Sequence, residues 1–239
     1  MIFFVMSLIK LIQKNKISFL LIVLLLDFVI LLLGYLYWEK SLFNLDIESN
    51  LPTLYQGLKI ILVSFISFDL YFLTKGKNKY FWLFLSFVFL FLGLDEVGQI
   101  HENFPNFLNE LFSRSSIQNP YDYVNKFGYQ STTWLPYYIP FILSFFVIVG
   151  IFLIRFLKNN WKRALFFILG VSFFVLSLYV EYVNTKPHIM FQEGYYTYVF
   201  WEEAFEIFGI SFILYFAYLF FRESVEQFKL QYLPTKKRK

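Results

Sequence analysis

Apolar stretches of about twenty residues recur along this chain, and they limit its fold more than any other feature. At ~1.5 Å per helical residue, one such stretch crosses the ~30 Å hydrocarbon core of a bilayer. Six stretches meet that measure: 17–38, 55–74, 80–103, 136–157, 161–184 and 198–224. A segment in lipid must bond its own backbone N–H and C=O groups, and stretches this long do so as helices. The expected fold class is all-α, a polytopic integral membrane helix bundle with about six transmembrane helices in a single domain over 1–239. Charged residues make up only 16% of the chain, against about 25% in soluble proteins. The first stretch is too long for a signal peptide, and no small-x-small cleavage site follows it. It is expected to stay as an anchor.

Basic residues sort by side. With the N-terminus inside, the inner segments hold Lys10, Lys14 and Lys16, then Lys75, Lys77 and Lys79. They also hold Arg155, Lys158, Lys162 and Arg163, then Arg222, Lys229, Lys236, Lys237, Arg238 and Lys239. The outer loops hold Lys40, Arg114, Lys126 and Lys186, and Lys59 lies within a span. This positive-inside bias predicts an N-in, C-in chain in a bacterial cytoplasmic membrane, surrounded by membrane lipids. The net charge of +4 follows from this topology and gives no sign of nucleic-acid binding. Residues 105–133 become a long extracytoplasmic loop, and 225–239 a basic cytoplasmic tail drawn to anionic lipid. With no cysteine, disulfides, thiolate nucleophiles and cysteine-ligated metals are excluded.

Ionisable chemistry concentrates where the third span meets its outer end: Asp95, Glu96, Gln99, His101 and Glu102 fall within eight residues. The fifth span runs outward to Glu181, and the sixth opens inward through Glu202, Glu203 and Glu206. Three helices thus bring acids to one membrane depth. At ~100° per residue Asp95, Gln99 and Glu102 share a face, as do Glu202, Glu206 and Gly209. Gly209 would let a neighbouring helix come close. Clustered carboxylates cannot all stay ionised unaided. A divalent cation, shared protons or an aqueous cavity would relieve them.

Carboxylate and imidazole are ligands for Zn, Mn or Fe, which makes Asp95, His101, Glu102, Glu202 and Glu206 the candidate metal ligands. Glu96 and Glu203 are the candidate catalytic bases. The Glu-x-x-His spacing of di-iron helix bundles is absent, because Glu96 and His101 are five apart. His188, in the loop after the fifth span, faces the same side. Each acid also has a plainer reading as a solvated group near a membrane boundary, and Glu202 and Glu203 suit the first turns of a helix.

Asp27 lies near the middle of the first span and Asp69 in the inner half of the second. Such residues mark proton or cation paths, or are protonated and hydrogen-bonded to Ser or Tyr. Lys59 is placed to reach towards Asp27. Phosphate-binding glycine loops, Gly-x-Ser-x-Gly elbows and His-Glu-x-x-His pairs are absent.

Leu94-Asp95-Glu96 followed by His101-Glu102, with the later Glu202-Glu203-x-x-Glu206, resembles a set of uncharacterised bacterial multi-pass membrane proteins. Those proteins carry an "LDE…HE" helix end and an "EExxE" helix start. The resemblance implies that the two motifs belong together, and it supplies no activity.

Three functions compete. The first is a metal-dependent hydrolase or transferase acting on a lipid or lipid-linked substrate. The second is an ion or proton transporter or channel using the same acids with Asp27 and Asp69. The third is a non-catalytic subunit whose acids meet a partner in a membrane complex.

Overall fold

The computed structural model describes residues 16–46, 50–100, 135–184 and 194–232. Among these residues the regular structure is entirely helical. The helices are α1 (Lys16–Leu36), α2 (Leu51–Leu73), α3 (Lys79–Gly98), α4 (Leu135–Asn184) and α5 (Tyr195–Tyr232). Five stretches are long and apolar enough to cross a bilayer: Ser18–Leu36, Leu51–Leu73, Lys79–Gly98, Trp161–Val183 and Tyr195–Gln231. Large apolar side chains such as Leu21, Leu25, Phe28, Phe65 and Phe72 point outward. A surface of that kind suits lipid and would aggregate in water. The protein is a membrane protein.

Local signals set the helix ends. Asn50 caps α2 by accepting from the Thr53 N–H at 2.7 Å, with Pro52 in the first turn. The cap starts this helix at Leu51, four residues before the span read from hydropathy. Gly76, at φ 75°, turns the chain from α2 into α3. α3 stops at Gly98, and Gln99 takes a left-handed conformation (φ 53°) with its N–H bonded to the Asp95 carbonyl. The third span therefore ends five residues short of 103. The helical face expected to join Asp95, Gln99 and Glu102 is broken at Gln99.

α4 is fifty residues long and as a straight rod would reach about 75 Å. Its geometry excludes a rod. Phe145 stacks on Phe84 of α3 with ring centroids 6.3 Å apart, and it lines one cavity together with Val171 and Phe174. A straight helix would put Phe145 and Val171 about 39 Å apart. The helix therefore bends between two limbs, Pro140–Ile151 and Trp161–Val183. These limbs stand where two separate spans, 136–157 and 161–184, were expected.

α5 is the hub. Two thirds of its most apolar window is buried (67%), against 22% for α1. Lipid is as apolar as leucine, so helices in a membrane associate through close packing and hydrogen bonds. Gly170 of α4 abuts Gly209 of α5: a Cβ on Gly170 would meet the Gly209 carbonyl oxygen at 2.7 Å. α2 and α3 approach through Gly57 and Gly93, and Ser64 donates to the Ser86 carbonyl at 2.7 Å. Rings then fill the centre, with Trp82 of α3 against Phe216 and Phe220 of α5, and Phe167 of α4 against Phe216.

Charge divides the bundle along its length. Arg163 pairs with Glu223, Arg222 pairs with Glu226, and Lys75 donates to Gln231 at the end where α2 hands over to α3. The opposite end, where α3 stops and α5 begins, is acidic.

Gly170→Leu should force α4 and α5 apart. Overpacking of this kind costs about 1–3 kcal/mol, and more where backbone is struck. The expected outcome is a clear drop in the unfolding temperature of the purified protein in detergent, with Gly150→Leu, which meets nothing within 4 Å, as the near-neutral control.

Candidate functional site

The acidic end opens into a cavity of about 930 Å³. Its walls come from α2, α3, both limbs of α4, α5 and the turn before α2. Polarity changes steadily along its axis. On α3, Phe84, Phe87, Val88 and Phe91 line it turn after turn, and Asp95 and Glu96 follow. On α5, Ile213 and Ile210 give way to Glu206, then Glu203 and Glu202. Eleven residues separate Phe84 from Asp95, or about 16 Å of helix. One molecule can therefore meet an aromatic floor and an acidic mouth together.

Of the acids singled out in the sequence, Asp95, Glu96, Glu181, Glu202, Glu203 and Glu206 all line this one cavity. They reach it from three helices because each occupies the inward face of its helix at the same end. Asp46, from the turn before α2, joins them. Partial burial raises its carboxyl from the ordinary value, and the Tyr195 hydroxyl, donating at 2.6 Å, opposes the rise. Gln99 caps α3. His101, Glu102 and His188 lie outside the described residues.

Glu206 is the best-defined member. It accepts from Ser177 of α4 at 2.7 Å and from the Gln56 amide of α2 at 2.7 Å, so one carboxylate ties three helices together. Among the described residues, no three His, Asp or Glu side chains come close enough to hold a metal ion. The expected set of Asp95, Glu202 and Glu206 is thus not a ligand cluster by itself. These acids share a cavity wall without converging on one point.

Asp27 is fully buried beside the deep side of this wall. Lys59 of α2 donates to it at 2.8 Å, Tyr55 at 2.7 Å and Ser211 of α5 at 2.6 Å. The remaining protons of the Lys59 ammonium go to the Ile207 carbonyl at 2.8 Å and the Ser211 hydroxyl at 3.0 Å. Asp69 does not join this group. It is exposed on the outer face of α2, apart from buried Asp27.

Gln56, Tyr55, Ser177 and Ser211 were missed in the sequence. A lone Ser or Gln in an apolar run carries little signal. The spacing of Tyr55, Gln56 and Lys59 was the available clue, because Lys59 lies three and four residues from the other two, which sets a polar stripe on one face of α2.

The domain of unknown function DUF8692 matches residues 54–220. The chain belongs to this family. The matched span runs over α2 to α5, and so over the cavity and both acidic motifs. No curated protein matches the chain. No solved structure matches it.

Lys59→Met should leave Asp27 buried without its cation, and breaking a buried pair from one side costs about 3–5 kcal/mol. The double variant Asp27→Asn/Lys59→Met should recover most of that loss. Unfolding temperatures of the two variants and the parent complete the comparison.

Proposed function

We propose that this protein holds a lipid or lipid-linked substrate in the cavity and acts on its head group at the acidic mouth by hydrolysis or group transfer. The observation that carries the reading is the gradient inside the cavity: aromatic and aliphatic walls at depth, carboxylates at one end. An apolar chain gains by lying against the deep walls, and its head then meets Glu96 and Glu203. Either of these serves as the general base that takes a proton from the attacking water or acceptor hydroxyl.

The topology that goes with this reading has six crossings, the two limbs of α4 counting separately, with both termini in the cytoplasm of a bacterial cell. The basic end seats Lys75, Arg163 and Arg222 inside. The acidic mouth then opens on the extracytoplasmic side, with Asp95 and Glu96 on one wall and Glu202, Glu203 and Glu206 on the other.

Purified protein should carry an apolar-chained molecule through extraction, detected by native mass spectrometry. Val88→Trp, which fills the cavity, should displace it without loss of fold. Once the molecule is identified, Glu96→Gln and Glu203→Gln tell which carboxylate acts. Loss of a general base lowers turnover by about 10²–10⁴-fold. Protein that binds no amphipathic molecule, or binds it equally well after Val88→Trp, would sink the proposal.

A metal-dependent form of the reaction needs His101 and Glu102 to complete a set with Asp95. For that form, metal analysis should find near-stoichiometric Zn, Mn or Fe, lost on His101→Ala. Metal-free, active protein leaves carboxylate general-base chemistry alone.

Ion or proton transport is the second reading, favoured by the buried Asp27–Lys59 pair, which is bonded to the carbonyl of Ile207, the residue next to Glu206 on α5. Flux into liposomes that survives Asp27→Asn removes it.

A further inference from the structure

Gln56 is almost completely buried (1% exposed) and lines the cavity. A carboxylate only accepts hydrogen bonds, so the amide must turn its NH2 towards Glu206, to which it donates at 2.7 Å. Its carbonyl oxygen is left buried with no donor among the described groups. An acceptor stranded in this way is costly, and buried polar atoms in native proteins nearly always have partners. Here the missing donor can arrive through the cavity that Gln56 lines.

The charge beside Gln56 narrows the donor's identity. The described lining includes Asp46, Asp95, Glu96, Glu181, Glu202, Glu203 and Glu206, with no Lys or Arg. Lys59, one turn along α2 from Gln56, is committed to Asp27, Ile207 and Ser211. Glu206, bonded to Gln56, gives this spot its negative charge, which favours a cationic donor over phosphate or carboxylate heads.

We propose that Gln56 and Glu206 form a seat for a primary ammonium group, carried on an amphipathic molecule whose apolar part fills the cavity. The inference rests on the reading of the cavity as a site for a lipid-like substrate, and it names the class of head group. A primary ammonium brings three N–H donors. One satisfies the Gln56 carbonyl, and a second reaches Glu206, whose two oxygens retain lone pairs beyond those used by Ser177 and Gln56. The aromatic walls formed by Phe84, Phe91, Phe145 and Phe174 receive the attached chain. A quaternary ammonium carries the same charge without donors and leaves Gln56 as it was.

That difference gives the test. The full chain in zwitterionic-lipid nanodiscs is titrated with four dodecyl chains that differ only in the head: dodecylamine, dodecyltrimethylammonium, dodecyl maltoside and dodecyl phosphate. Empty nanodiscs serve as blanks. Dodecylamine should bind about tenfold tighter than the quaternary amine, the value of one well-placed hydrogen bond to a charged donor. The phosphate should bind weakest. Gln56→Met should close the gap between the two amines, and Glu206→Gln should weaken both.

Equal binding of the two amines in the parent protein, or a preference for phosphate, overturns the ammonium seat while leaving the cavity as a lipid site. Absence of binding by all four chains overturns both. Should Gln56→Met fail to fold, the parent series alone still decides, because the primary-to-quaternary ratio is read without any variant.

Discussion

A lysine and an aspartate bonded to each other among apolar helices are the contact on which the rest of this structure depends. Each charge would be prohibitive in hydrocarbon alone, and neither can turn to water. Their environment is fully organised. Asp27 receives from Lys59, Tyr55 and Ser211, and the three protons of Lys59 go to Asp27, the Ile207 carbonyl and Ser211. Since Asp27 belongs to α1, Lys59 to α2 and Ser211 to α5, the cluster sets the rotation of all three helices about their axes. Leucines alone would not do this, because an apolar face packs nearly as well after a small rotation and lipid offers no penalty.

Once those rotations are set, the cavity wall follows. Ile207, which binds Lys59, is next to Glu206, and Gln56 lies one turn before Lys59 on α2. The buried pair and the acidic wall are thus two sides of the same packed turns. Glu206 extends the arrangement to α4 through Ser177, just above the place where Gly170 and Gly209 let the backbones come together. Close approach at the glycines leaves little space on one side of α5. On the other side the two limbs of α4 stand off from α3, and the cavity occupies that gap.

Much of this was legible in the sequence. A run of twenty apolar residues can satisfy its backbone in lipid in only one common way, so the helices follow from hydropathy. The sorting of Lys75, Arg163 and Arg222 away from Asp95 and Glu202 was likewise readable, since charge at span ends reports topology. Two features were not. The third span was drawn to 103, but α3 stops at Gly98 because Gln99 turns left-handed, and hydropathy does not sense backbone sign. The described acids of the expected metal set, Asp95, Glu202 and Glu206, form no ligand cluster among themselves for a related reason. Shared depth puts side chains at one end of a bundle, and only helix rotation and separation decide whether they meet.

By itself, then, the sequence determined the medium and most of the helices, and it gathered the acids of α3 and α5 at one end, because these depend on composition along one segment at a time. The tertiary structure alone decided which groups touch. It paired Lys59 with Asp27, left Asp69 facing outward, bent α4 between its two limbs, and gave Glu206 two partners from distant helices. It also left the Gln56 carbonyl buried without a donor among the described groups. Those outcomes depend on contacts between segments up to 184 residues apart, such as Asp27 with Ser211, and no local pattern of residues encodes that geometry.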